Sequence, residues 1–295
     1  MSKTIGQVYK AHSNKFFVMT DNGLIKCDAR GLLKIKSDGI LTGDIVEVEN
    51  ATILNVKPRK NRLIRPNVAN VDLIVAVLSP QPKPDFYLID KLLINSIKEN
   101  IDFCIVLNKS DIESTIYQDV VNEYANLGIK ILSVSSTNKQ GINELKELLK
   151  NKLSVFAGQS AVGKTSITNV MFNLELKTGE VSEKIERGKH TTTRSEIFEY
   201  EGIKVIDSPG FAVIDADVSL EDLPQCYPEY FNVSNECKFR GCSHISEPNC
   251  KVKELVNNGD FSKKRYERYI EIYNEIKNRR TIYEKNLNCT IIFIV

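Results

Sequence analysis

At 295 residues the chain is too long for one small domain and suits two or three. Its 42% apolar and 26% charged residues are ordinary for a globular protein, and a formal net charge of +2 is too small to imply nucleic-acid binding unless the basic residues cluster. No apolar window reaches the roughly 18 residues of a membrane span and the N-terminus carries no signal-like core, so we expect a cytoplasmic protein without membrane contact.

Residues 1–65 read as an all-β unit. Short runs rich in β-branched and aromatic residues, Lys15 to Thr20, Gly23 to Cys27 and Asp44 to Glu49, are separated by turn signals such as Asp21-Asn22-Gly23. That spacing predicts a small closed barrel of the OB type, with an SH3-like barrel as the alternative. A basic stretch comes next, Lys57, Arg59, Lys60, Arg62 and Arg65, with no acid between its members. It reads either as a solvated linker or as a contact for phosphates.

From 66 to 215 the pattern is βαβ. Apolar runs of parallel-strand type, VDLIVAVLS, DFCIVLNKS, IKILSVS and LSVFAG, alternate with helix-like segments Phe86 to Glu99, Ile112 to Leu127 and Ile142 to Lys150. This predicts a doubly wound sheet. Asn108-Lys109-Ser110-Asp111 follows the second of these strands. A carboxylate there can accept from N1–H and the N2 amine of guanine, a donor pair that adenine lacks. Asp111 would therefore select GTP, with Lys109 over the base and Asn108 tying the loop to its neighbours. Ser135, after the next strand, is the candidate second base contact.

Gly158-Gln159-Ser160-Ala161-Val162-Gly163-Lys164-Thr165 matches GxxxxGKT between a strand and a helical stretch beginning at Ser166. Its amides and the helix N-terminus would cradle phosphates, Lys164 would reach the β- and γ-phosphates, and the Thr165 hydroxyl would bind Mg²⁺. Asp207-Ser208-Pro209-Gly210 ends a later strand, where Asp207 can hold Mg²⁺ through water and the Gly210 amide can meet the γ-phosphate. Between them lies Gly188-Lys189-His190-Thr191-Thr192-Thr193, a switch segment in which Thr192 is the favoured third Mg²⁺ ligand. Position 211 is Phe, which cannot orient a water, so the free protein should hydrolyse slowly and His190 is the one nearby imidazole candidate.

The base-reading motif precedes the phosphate loop, the reverse of the usual order, so the GTPase domain is circularly permuted. A chain whose termini lie close together at the surface tolerates that change. Residues 216–295 then change character. Cys237-x4-Cys242-x-His244-x5-Cys250 suits a tetrahedral Cys₃His structural metal site, for which Zn²⁺ is the expected ion. Cys27, Cys104, Cys226 and Cys289 fit no ligand spacing, and seven cysteines without an export signal argue against a disulfide framework. A helical segment from Phe261 to Lys285 carries Tyr266, Tyr269, Ile270 and Tyr273 as a packing stripe. Lys263, Lys264, Arg265, Arg268, Lys277, Arg279 and Arg280 are its candidate phosphate contacts, interleaved with acids.

The motif order, the GKHTTT switch, DSPG and the C-x4-C-x-H-x5-C cluster together resemble the RsgA/YjeQ family, the small-ribosomal-subunit-dependent GTPases. The resemblance spans nearly the whole chain. It implies a multidomain α/β protein with an OB-type barrel (1–65), a permuted P-loop GTPase domain (66–215) and a zinc-binding helical C-terminal domain (216–295). It further implies GTP/GDP with Mg²⁺ at Asn108 to Asp111 and Gly158 to Ser166, and one structural Zn²⁺ on Cys237, Cys242, His244 and Cys250. The implied activity is GTP hydrolysis in late maturation of the small ribosomal subunit, stimulated by that subunit, with the subunit and its rRNA as partners; we expect a monomer. Two other readings are a signalling GTPase acting on a protein effector and a zinc-stabilised RNA-binding protein with a vestigial nucleotide site. The barrel and metal cluster weigh against the first, the intact GQSAVGKT and NKSD against the second.

Overall fold

The computed structural model describes residues 3–12, 15–31, 39–173, 195–207 and 214–291. Alternation builds the first unit: in KFFVMT the side chains of Phe16, Val18 and Thr20 are buried, while Lys15 is exposed and Phe17 and Met19 are partly buried on the other face. Strands β1 (Thr4–His12), β2 (Lys15–Thr20), β3 (Gly23–Ala29), β4 (Ile45–Glu49) and β5 (Thr52–Val56) surround a core of Val8, Phe16, Val18, Cys27, Val46, Val48 and Ile53. Their neighbour order is β1-β2-β3-β5-β4, and β4 returns to β1 through Thr4↔Val48 to Gln7↔Ile45. β3 and β5 run parallel while the other pairs are antiparallel. This closure decides for the OB barrel over the SH3-like alternative.

The basic stretch after the barrel is largely neutralised by acids. Lys57 pairs with Glu47 at 3.1 Å, Arg59 with the fully buried Asp44 at 2.7 Å, Lys60 with Asp72, and Arg65 with Asp215 at 3.9 Å. Two of these pairs fold the stretch back onto the barrel, and two tie it to Asp72 and Asp215 of the neighbouring unit. Two short strands, β6 (Arg62–Leu63) and β7 (Val68–Ala69), pair within this connection.

The next strands and helices alternate as the sequence predicts: β8 (Leu73–Leu78), α1 (Phe86–Lys98), β9 (Asp102–Leu107), α2 (Ile116–Tyr124), β10 (Lys130–Ser133), α3 (Ile142–Leu149), β11 (Leu153–Ala157), α4 (Lys164–Met171), β12 (Glu196–Tyr200) and β13 (Ile203–Asp207). The sheet order is β10-β9-β8-β11-β13-β12, parallel except at β12. Helices α1 and α2 cover one face through Leu88, Leu92, Val120 and Tyr124. Helices α3 and α4 cover the other through Leu145, Leu149, Ile167 and Met171. Helix α2 begins at Ile116, later than the predicted Ile112, because the chain from Lys109 first makes a turn, with Ile112 N donating to Lys109 O at 3.0 Å, and Ser114 Oγ then accepts from Ile116 N at 3.2 Å. β12 also meets β1 at Lys10↔Glu196, so barrel and α/β strands form one continuous sheet. The junction is closed by Lys10–Glu196 at 2.5 Å, by the Tyr9 hydroxyl donating to Glu199, and by Thr42 Oγ1 donating to Ser195 O at 2.9 Å.

The C-terminal unit, α5 (Pro228–Val233), α6 (Lys251–Asn258) and α7 (Lys263–Ile291), packs around Tyr227, Tyr230, Tyr269, Ile272 and Ile276. The predicted stripe packs on this core: Tyr269 lies within it, Tyr266, Ile270 and Tyr273 pack partly buried against it, and Ile272 and Ile276 join it. The same helix carries a buried ionic network. Arg265 is 2% exposed and Arg268 is mostly buried, both turned onto α1 and away from solvent. Asp90, 1% exposed, accepts from Arg268 Nε at 2.5 Å, from the Tyr124 hydroxyl at 2.8 Å and from Arg265. Glu229 takes Arg265 Nε at 2.6 Å, and Glu123 takes Arg268. Burial alone would disfavour the Arg265 charge, but Asp90 and Glu229 hold it protonated. These two arginines are thus removed from the candidate RNA contacts.

The Asp90→Asn variant keeps the shape and strips the charge that two buried guanidiniums share. It is expected to cost roughly 2–3 kcal/mol of stability, the value of hydrogen bonds to charged groups. A urea unfolding curve reads this as a lowered midpoint; an unmoved midpoint would show the network to be energetically idle.

Candidate nucleotide site and metal centre

The buried strand β11 ends at Ala157, and the chain then turns with Gly158 at φ 144. A Cβ there would lie 2.3 Å from Val77 O, so only glycine lets the loop lie against β8. Val162 is fully buried and pins the loop to the core, and α4 starts at Lys164. Lys164 Nζ donates to Gly158 O and Gln159 O, each at 2.7 Å, which curls its ammonium into the loop. Ser160, Ala161 and Thr165 are exposed along this turn, and Ser166 is partly buried.

Asn108 sits at the crossing of three loops. Its Nδ2 donates to Val162 O at 3.0 Å and its Oδ1 accepts from Ser136 N at 3.2 Å, in a position 1% exposed. Lys109 Nζ donates to Ala161 O at 2.9 Å and to Gln81 O at 2.6 Å. Asp111 is exposed, and its Oδ1 accepts from the Ser135 hydroxyl at 2.5 Å. Ser135 Oγ in turn accepts from Asn138 N at 3.0 Å, and Ser110 N donates to Val134 O at 3.1 Å. The structure thus brings together Asn108, Lys109, Asp111, Ser135 and the 158–165 loop, which are spread over more than fifty residues of sequence.

Asp207 ends β13, beside β11 in the register Val155↔Ile206, so its backbone stands at the same sheet end as the 158–165 loop. His190, Thr192 and Gly210 lie outside the described residues, as does Phe211. Sequence reasoning missed one participant, the proline-rich loop between β8 and α1. Gln159 Oε1 accepts from Asp85 N at 3.1 Å, and Gln81 O meets Lys109. Pro80, Pro82 and Pro84 were the available signal of a stiff turn at that place.

Gly163, at φ 93, offers a direct test. A Cβ there would stand 2.2 Å from Asn108 Nδ2, and left-handed strain adds about 1–3 kcal/mol. Gly163→Ala is expected to weaken GTP binding about tenfold, measured by nucleotide titration; unchanged affinity would show that the Asn108 crossing is not needed.

The second site is in the C-terminal unit. Ligand atoms of Cys237, Cys242, His244 and Cys250 all lie within 4.8 Å of one another. His244 Nδ1 is 3.4 Å from Cys250 Sγ and 3.7 Å from Cys237 Sγ, and the two sulfurs are 3.9 Å apart. Thiolates around a tetrahedral zinc at about 2.3 Å have edges of about 3.8 Å, so these four atoms fit one ion. Nδ1 faces the sulfurs, while the opposite nitrogen, Nε2, is buried without a partner. Burial pushes the Cys242 thiol up to about 12, raises Cys250 and lowers His244. A cluster that resists ionising alone is one that a cation must deprotonate. Cys27, Cys104 and Cys226 are buried free thiols outside the cluster, as predicted.

These geometries can be set beside known proteins. A family model described as RsgA GTPase matches residues 56–217. A small ribosomal subunit biogenesis GTPase RsgA of Geobacillus sp. (strain WCH70) is 38% identical over 291 residues, 94% of this chain and 99% of that protein. Its namesake in Caldanaerobacter subterraneus subsp. tengcongensis is 36% identical over 97% of this chain and 100% of its own length. The crystal structure of YjeQ from Thermotoga maritima superposes with a TM-score of 0.79 at 34% identity, covering 93% of this chain and 99% of that one. YloQ, described as a circularly permuted GTPase, gives 0.76 at 31% identity, covering 94% and 96%. With the base-reading loop preceding the phosphate loop and both crossing at Asn108, the chain belongs to the RsgA GTPase family and is a circularly permuted GTPase.

Proposed function

We propose that this protein binds GTP between the loops around Asp111 and Lys164 and hydrolyses it during late maturation of the small ribosomal subunit, which stimulates the reaction. The observation that carries the reading is the Asn108 side chain. It joins the base loop to the phosphate loop across 54 residues of sequence, as a single nucleotide pocket requires. In this reading Asp111 selects guanine, Lys109 covers the base, and Ser135 orients the carboxylate. The amides of 158–163 and Lys164 take the phosphates, with Ser166 and the Gly210 amide closing the same pocket.

Thr165, Thr192 and Asp207 would hold Mg²⁺, which neutralises charge on the phosphates. Zn²⁺ on Cys237, Cys242, His244 and Cys250 would be structural, since four protein ligands leave no open position. His190 is the candidate that orders the attacking water. A single-turnover assay of His190→Ala with saturating small subunits tests that role, and an unchanged stimulated rate eliminates it. The proposed units are 1–65, 66–215 and 216–295, in a cytoplasmic monomer. Among the described residues no helix is long and apolar enough to cross a membrane.

The functional test is GTP turnover with and without purified small subunits, with large subunits as the control. Stimulation by small subunits alone is expected. Equal stimulation by both subunits, or by neither, would return the chain to a signalling role on a protein effector.

A further inference from the structure

The basic residues first suspected of meeting RNA are largely committed elsewhere: four of the five in the 57–65 stretch form ion pairs, and Arg265 and Arg268 are buried on α1. Between the first two cysteines of the metal cluster, however, the chain makes a short excursion through Lys238, Phe239, Arg240 and Gly241. Phe239 is 42% exposed, although the tyrosine core of the same unit lies close by.

The backbone keeps it out. Cys237 N donates to Ser234 O at 3.1 Å and Lys238 N to Asn249 O at 3.2 Å, so the loop is fixed at its entry, and Cys242 is buried in the cluster at its exit. On that frame the ring stands in solvent. Lys238 Nζ stands 5.7 Å from the ring centroid. Among the described residues neither Lys238 nor Arg240 makes an ion pair. The nearby acids are engaged: Glu236 faces Lys251 at 3.8 Å, and Glu247 accepts from Ser243 N at 2.7 Å and Ile245 N at 3.1 Å.

An aromatic face held out on a rigid loop between two unpaired cations is the combination an unpaired nucleotide needs. The ring stacks on the base, and the cations meet the phosphates on either side. An apolar protein groove would take the ring but leave the two flanking charges unmatched. We propose that the 238–240 loop is an RNA contact in which Phe239 stacks on an unpaired base and Lys238 and Arg240 hold the flanking phosphates. The inference rests on the small-subunit reading for its partner, while its chemistry can be tested without it.

The chain has no tryptophan, so Phe239→Trp places a single fluorophore at the tip. Its emission should be quenched by a 12-nucleotide single-stranded RNA and by purified small subunits, and not by the same RNA as a duplex. Phe239→Leu and Phe239→Ala should each bind small subunits at least about fivefold more weakly, while Phe239→Trp binds at full strength, because a stack needs a π-face. Lys238→Ala with Arg240→Ala should lower the salt slope of binding by about two. Metal content, unchanged in every variant, verifies the loop's fold. Full affinity in Phe239→Leu would mean an apolar protein contact and overturn the inference, as would emission unaffected by bound subunits. If the wild-type chain bound no small subunit, the functional reading would fall while the single-stranded RNA titration still decided this one: quenching there sustains it, and none sinks it.

Discussion

Cys250→Ser is expected to release the metal and unfold the segment around it, while the GTPase sheet stays intact. The magnitude reflects how little else holds the unit together. Its tyrosine core is small, and a segment of this size rarely holds its fold on apolar burial alone. Structural zinc supplies about 10–16 kcal/mol in isolated zinc-binding peptides, far more than the remaining contacts can replace. Removal of the Cys250 thiolate leaves the partly buried Cys237, the buried Cys242 and the buried His244 without a complete ligand set, and burial disfavours the Cys242 anion. The N-terminal turns of α7 should remain docked, because Arg265 and Arg268 are held by Asp90 on α1 and do not depend on the metal. Amide exchange should therefore rise across 237–258 and stay low in 264–272. Cys226→Ser is the control, since that buried thiol is outside the cluster. One equivalent of metal retained in Cys250→Ser, with unchanged exchange, would show that the cluster is not a metal site.

The parts of this molecule that the sequence revealed are those in which function demands consecutive residues. GQSAVGKT, NKSD and the Cys/His spacing each name their chemistry within fifteen residues, because the ligand is smaller than the loop that holds it. Long-range contacts were not legible. Arg265 reads as one more exposed cation in a charged helix, and nothing local indicates that Asp90, 175 positions earlier, waits for it. The same holds for Arg59, whose buried partner Asp44 looks like a turn residue in the sequence. Gln159 is an unspecified position of the phosphate-loop pattern, yet its side chain also accepts from the backbone at the start of α1. Barrel type was ambiguous for a related reason, since strand propensity does not say whether β3 will pair with β5.

These hidden contacts share one geometry: both flanking units attach beside the nucleotide loops. The barrel meets Glu196 and Glu199 on β12, the strand before Asp207. The C-terminal unit grips Asp90 on α1, the helix whose first turn is tied to Gln159. Permutation makes this arrangement possible, because it leaves the barrel to lead into β8 and the metal unit to come directly after the segment that succeeds β13.

Asp111→Asn is expected to invert base selectivity, and the geometry limits how else it can act. An asparagine is isosteric with aspartate, and its oxygen can still accept from the Ser135 hydroxyl that now bonds Asp111 Oδ1 at 2.5 Å, so the loop should keep its shape. The change falls on the outward edge. A carboxylate accepts from both N1–H and the N2 amine of guanine; an amide accepts once and sets its NH₂ against the N2 amine, donor against donor. Two charge-assisted bonds at roughly 1.5–3 kcal/mol each are lost or reversed, so GTP affinity should fall about 10²- to 10⁴-fold. Xanthine carries a carbonyl where guanine has the amine, and that carbonyl can accept from the new NH₂. XTP should therefore bind the variant more tightly than GTP does, while the wild-type protein prefers GTP. ATP should bind neither form, since its N1 is an acceptor facing the wild-type carboxylate and its C2 carries no donor or acceptor for the amide. Calorimetric titration with the three nucleotides decides the matter. GTP affinity that survives the substitution, or a variant indifferent to XTP, would mean that Asp111 does not read the base and that the loops joined by Asn108 serve another ligand.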